Sequence, residues 1–174
     1  MLVKHTKNTG FTLIELVVVI VILGILAVTA APKYIDLSGD AVTATLESLT
    51  GSLKSANSMV HQKAIIKGQD KLAPGTIDIN GVAVSTTGGY ITPSASNISN
   101  SLDGSFEEMV SANSDFTADW GIYLLPGGSP TGSTTVYIYP NGKNVLTAGG
   151  CNLLYNIDLS QSEPVYYALS TDGC

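Results

Sequence analysis

Arginine is absent from the 174 residues, and lysine supplies all eight basic side chains against fourteen acidic ones, for a formal net charge of -6. Without a basic stripe to neutralise phosphates and release their counterions, tight nucleic-acid binding is excluded. Charged residues make up only 13% of the chain and aromatics only 7%. Such a polar but weakly charged composition suits an exported surface better than a cytosolic enzyme. Histidine occurs twice, at His5 and His61, and cysteine twice, at Cys151 and Cys174. That inventory holds no zinc spacing and no His beside a Cys; the phosphate-binding glycine loop and the nucleophile elbow are also missing. The expectation is a non-enzyme with no cofactor and no metal. Asp115 and Asp119 flank Phe116 but lack the full ligand spacing of a calcium loop. His61 reads as a solvated histidine on a helix face.

Mean hydropathy is +0.27, and much of it is concentrated between Leu13 and Ala31. As a helix, residues 11–31 would measure about 30 Å at roughly 1.5 Å per residue, enough to span a hydrocarbon core. Lys4, His5 and Lys7 precede this run, and positive charge there favours retention of that end in the cytoplasm. A cleavable signal peptide is the competing reading, with small residues near Ala27–Ala31. Two features oppose it. Pro32 directly follows those small residues, and Glu15 stands inside the apolar run, where an ionised carboxylate costs on the order of 3 kcal/mol. No basic residue lies between Lys7 and Lys33 to pair with it. A cut after Gly10 would create an α-amino group on Phe11, four residues from Glu15, available to the same chain or to a neighbour.

The run Gly10-Phe11-Thr12-Leu13-Ile14-Glu15-Leu16 resembles the cleavage and methylation motif of type IV prepilins and of the related pseudopilins. The resemblance implies cleavage between Gly10 and Phe11 by a membrane-embedded prepilin peptidase and N-methylation of Phe11. It also implies a role for Thr12 and Glu15 in assembly, with Glu15 meeting the amine of a neighbouring subunit. The stretch from Ile22 to Lys33 looks like the version found in mannose-sensitive haemagglutinin (MSHA) type pilins. The implied partners are the inner membrane, the peptidase and N-methyltransferase, a pilus assembly platform and further copies of the chain. The implied location is the inner membrane first and a surface filament used for attachment afterwards. A pseudopilin of a type II secretion system is the alternative, and a secreted binding domain freed from a signal peptide is a third.

Gly24 weakens a helix by about 1 kcal/mol relative to Ala, and Pro32 removes a backbone hydrogen bond, so the interval between them is the softest part of the helix. Beyond Pro32, Val42, Leu46, Leu49, Leu53, Ala56, Val60 and Ala64 recur at alternating four- and three-residue steps. That spacing predicts an amphipathic helix to about Lys67, capped by Gly68, with gentle bends at Gly39 and Gly51. The period then changes to two. Asn80-Gly81 predicts a hairpin within 77–84, and further strands are expected at 89–92, 120–125, 134–139, 153–157 and 165–169, with a turn at Pro140-Asn141-Gly142-Lys143. Residues 93–105 read as a surface loop and 106–112 as a short helix. Asn97-Ile98-Ser99 matches an N-glycosylation triplet.

The expected fold class is therefore α+β: a long kinked amino-terminal helix, its first half membrane-spanning, packed on a carboxyl-terminal antiparallel sheet. The divisions are a leader at 1–10, a transmembrane and assembly helix at 11–32, its amphipathic continuation at 33–67 and a globular head at 68–174. In an exported chain Cys151 and Cys174 read as a disulfide, worth roughly 3 kcal/mol in the chain-entropy picture, with two unpaired thiols as the alternative.

Overall fold

A computed structural model describes residues 10–112, 114–125, 133–143 and 149–174, with the side chains of 30–36 and 133–134 outside the description. The leader up to residue 9, with His5, and the Pro32 side chain thus lie outside it. The chain forms two compact units, Met1–Ser38 and Gly39–Cys174. Helix α1 spans Leu13–Ile66 and includes Gly24, Gly39 and Gly51. In the first unit the large apolar side chains from Leu13 to Val28 are all exposed, and Phe11 is 91% exposed. Among the described residues no helix is long and apolar enough to cross a membrane. The contiguous described side chains of the apolar run end at Thr29.

In the second unit the helical periodicity is realised as expected. Leu46, Leu49, Leu53, Ala56, Val60 and Ala64 are buried in one core, and Val42 packs against it half-buried. The helix stops where a left-handed residue is tolerated. Gly68 has φ +65°, its N–H donates to Ile65 O at 3.0 Å, and Gln69 N donates to Ala64 O at 2.8 Å. These two bonds satisfy carbonyls that the last turn would otherwise leave open.

Strands β1 (Gly75–Ile79), β2 (Val82–Thr87) and β3 (Tyr90–Ile91) form one antiparallel sheet. Asn80 and Gly81 both have positive φ between β1 and β2, the tight hairpin turn their dipeptide predicts. A second sheet has the order β4-β5-β6-β7-β8, from Phe106–Met109, Trp120–Leu124, Ser133–Pro140, Asn152–Asp158 and Val165–Ser170. Period-two alternation sends Ile122, Val136, Ile138, Leu153, Tyr155 and Ile157 into the helix-side core. Met109, Ala112 and Tyr139 form a smaller cluster with Phe116, Tyr123 and Tyr137.

Three expectations need correction. The segment 93–105 is not a loop throughout: Ala95–Ser101 forms helix α2, with Ser94 Oγ accepting from Asn97 N as its N-cap. Its signal was Ala95, Ile98 and Leu102 spaced for one helix face, obscured by the surrounding Ser and Asn. Residues 106–109 form β4 instead of a helix, because register with 120–123 satisfies their backbone. That pairing is parallel, so among the described residues the head has two sheets and one parallel ladder where a single antiparallel sheet was expected.

One polar side chain ties these layers together. Asn57 is 3% exposed on α1. Its Nδ2 donates to Tyr167 Oη at 2.7 Å and Tyr155 Oη at 3.1 Å, and its Oδ1 accepts from Ile91 N at 2.9 Å. Tyr155 Oη in turn donates to Ile91 O at 2.6 Å. Burial pushes the Tyr155 phenol well up, and burial likewise pushes Tyr167 up to about 12.

Asn57→Leu, which keeps volume but strands the Ile91 N–H and takes a hydrogen-bond donor from both phenols, is expected to lower stability by about 2–3 kcal/mol in urea unfolding. Because folding raises both phenol values, the unfolded chain releases protons first. Stability should hold below about pH 10 and fall towards pH 12. Absorbance of phenolate against pH, followed alongside circular dichroism, checks this: the last two phenols should ionise only as the fold is lost.

Candidate functional site

The start of α1 is built by four residues. Leu16 N donates to Thr12 O at 3.3 Å, which makes Thr12 the N-cap of the helix. Glu15, three residues on, folds back over it. Its Oε2 accepts from Thr12 N at 2.8 Å and from Thr12 Oγ1 at 2.7 Å, while Glu15 N lies 3.4 Å from Thr12 Oγ1. This is a reciprocal capping box, and a carboxylate at that position also faces the positive end of the helix dipole. The Thr-x-x-Glu spacing carried the signal, yet sequence reasoning offered Glu15 only the Phe11 amine of its own or a neighbouring chain and overlooked Thr12 as its partner.

Gly10 and Phe11 precede the cap, outside the helix and exposed. Among the described residues, a side chain at Gly10 would meet nothing within 4 Å. The same holds at Gly24. The expected bond between Cys151 and Cys174 is present, across a sequence separation of 23. Cys151 is buried in the main core, and Lys143 Nζ donates to Cys174 O.

His61 departs from the solvated expectation. Its ring stacks on Tyr90 at 4.2 Å and 4°. Its Nδ1 is buried with no hydrogen-bond partner among the described residues. The reason is local: β3 returns along α1 and lays an aromatic face over what the helix alone would leave open. Asp115 and Asp119 join no metal-holding group; among the described residues no three His, Cys, Asp or Glu side chains gather in that way.

Asn97 is 8% exposed. Its Oδ1 accepts from Ser85 N at 3.0 Å and its Nδ2 donates to Thr92 O at 3.1 Å. The amide that a glycan would modify is thus consumed in joining α2 to β2.

A family model, the prokaryotic N-terminal methylation motif, matches residues 5–31. The matched segment contains Gly10, Phe11, Thr12 and Glu15. The chain is also similar to the type IV narrow pilus major component PilA5 of Thermus thermophilus, with 40% identity over 47 residues. The matched stretch covers 27% of this chain and 40% of that relative, so the chain spans about two fifths of the relative's length. No solved structure matches the chain. The methylation motif therefore coincides with the capped helix start and the exposed apolar run, and the head lies beyond it.

Asn97→Ala should lower stability by about 2 kcal/mol, by leaving the Ser85 N–H and Thr92 C=O without their partner. The intact mass of the folded wild-type chain should show no glycan at Asn97.

Proposed function

We propose that the chain is a structural subunit of a type IV pilus of the MSHA-like kind, a building block and not a catalyst. The observation that carries this reading is the coincidence, at one helix start, of the Gly10-Phe11 junction, the carboxylate of Glu15 and the methylation motif over residues 5–31. A membrane-embedded peptidase cuts after Gly10, and an N-methyltransferase modifies Phe11. The apolar run to Ala31 holds the chain in the inner membrane, amino terminus in the cytoplasm, until an assembly platform draws it into the filament.

The exposed apolar surface from Leu13 to Val28 supports the reading, because such a surface needs lipid or other helices to cover it. In the filament, copies of the same helix cover one another, and Glu15 pairs with the Phe11 amine of a neighbour to set register. An ion pair formed away from water discriminates strongly against misaligned packing, because an unpaired charge there is costly. The Cys151–Cys174 loop favours a surface pilin over a secretion-system pseudopilin. Attachment of cells to surfaces is the function of the assembled fibre.

Gly10→Val should leave the leader attached, seen as a precursor-length band on an immunoblot; a mature-length band would refute the cut. Glu15→Val should leave cleavage intact and abolish filaments by electron microscopy, and normal filaments would remove Glu15 from assembly. Surface filaments that contain the chain identify a pilin, whereas processing without surface filaments identifies the pseudopilin.

A further inference from the structure

The dipeptide Asn-Gly occurs twice, at residues 80–81 and 141–142, and in both places the glycine has a positive φ. An asparagine before glycine can lose its side-chain amide, because no side chain on the next residue shields the peptide nitrogen that attacks it. The two copies are held differently. Asn141 is pinned: its Nδ2 donates to Phe116 O at 3.1 Å and to Ala118 O at 3.0 Å, and its backbone N–H donates to Asp119 O at 3.0 Å. Asn80 is exposed, and its side-chain amide has no hydrogen-bond partner among the described residues. Here the restraint falls on the neighbour instead, since Gly81 N donates to Asp78 Oδ1 at 3.0 Å. We propose that Asn80 is a site of spontaneous deamidation with Asp78 as the brake on it, whereas Asn141 is protected. The site lies in the β1–β2 hairpin and does not depend on the filament reading.

The reaction consumes only water. Gly81 N gives up its proton to solvent and bonds to Asn80 Cγ; the Cγ–Nδ2 bond then breaks, and Nδ2 leaves as ammonia with a proton taken from solvent. Water opens the cyclic imide at either carbonyl, which leaves aspartate or isoaspartate at position 80. One water enters, one ammonia departs, and nothing is oxidised or reduced. Each hydrogen bond acts on a defined part of this step. Asn141 cannot swing its Cγ towards Gly142 N without breaking both bonds from Nδ2, so the attacking geometry is out of reach. The Asn80 side chain turns freely, and the attacking nitrogen becomes the limit. An N–H that donates to a carboxylate is harder to deprotonate, because a second anion would form beside the first. The same bond holds the peptide plane that must rotate to bring the nitrogen to Cγ. Isoaspartate would add one main-chain atom inside a two-residue turn, whose length sets Ile79 opposite Val82. Either product adds a negative charge beside Asp78, on a shallow cavity that Lys63 also lines.

Peptide mass spectrometry of the full-length chain, folded in lipid nanodiscs and aged in mildly alkaline buffer, reads both sites in one sample. Asn80 should convert about tenfold faster than Asn141, the ratio expected when one of the two must first break its hydrogen bonds. In urea that unfolds the head, the two rates should converge. Asn141 converting as fast as Asn80 in the folded chain overturns the assignment. A gap of the same size in urea does so too, because the fold would then not be its cause. Asp78→Ala should raise the Asn80 rate about tenfold and leave Asn141 unchanged. An unchanged or lower rate at Asn80 removes Asp78 as the brake. Amide hydrogen exchange at Ile77 and Val84, paired in the β1–β2 ladder, should match the wild type in this variant; exchange that rises in step with deamidation means an opened hairpin and also removes the brake.

Discussion

The head is organised around one buried carboxamide. Asn57 sits on the buried face of α1 among Leu, Val and Ala, with Thr50 two turns before it, and it bonds to β3, β7 and β8 together. A polar group so deeply buried is tolerated only when fully partnered, and here its donors and acceptor all find partners of fixed direction. Hydrophobic burial drives the helix onto the sheets but does not fix its rotation or its height along them. The amide does. Slide the helix by one turn and Ile91 N–H, Tyr155 and Tyr167 would all lose their partner, a cost that apolar contacts cannot recover.

The two units solve opposite problems with the same helix type. Residues of the head-forming half present a narrow apolar face at three- and four-residue steps, and much of the rest of their surface is Ser, Thr, Lys and Glu. The first unit has no polar face at all between Leu16 and Val28, so nothing in its own chemistry selects one side for burial. Just before that stretch, at the helix start, stand Glu15 and Thr12. A surface that is apolar all round packs in any orientation, so a single polar device at one end is an economical way to define register.

Much of this was legible from residues alone. The spacing from Val42 to Ala64 announced the buried helix face, Gly68 its end, and Asn80-Gly81 the hairpin, because each depends on local backbone preference. The assignments that failed were those where local and long-range preferences conflict. Phe106 to Met109 have no strong intrinsic preference, and their strand exists because Trp120 to Tyr123 offer a matching ladder. Helix α2 was hidden by composition, since Ser and Asn mark loops on average but here supply a cap. His61 lies on an exposed-looking stretch of sequence, and the return of Tyr90 covers one face of its ring.

The sequence by itself determined the amino-terminal pattern: a short polar start, Gly10 before Phe11, an acid at fixed distance and an uninterrupted apolar run are all local facts that need no partner element. Tertiary structure decided what the remaining polar residues do. Asn57, Asn97 and His61 look alike in the chain, as ordinary solvent-facing side chains. Only the approach of strands distant in sequence turns the first into the anchor of the core, the second into a closed glycosylation triplet and the third into a stacked ring. Hydrogen bonds of long sequence separation cannot be read from periodicity, because they depend on where the sheets come to rest.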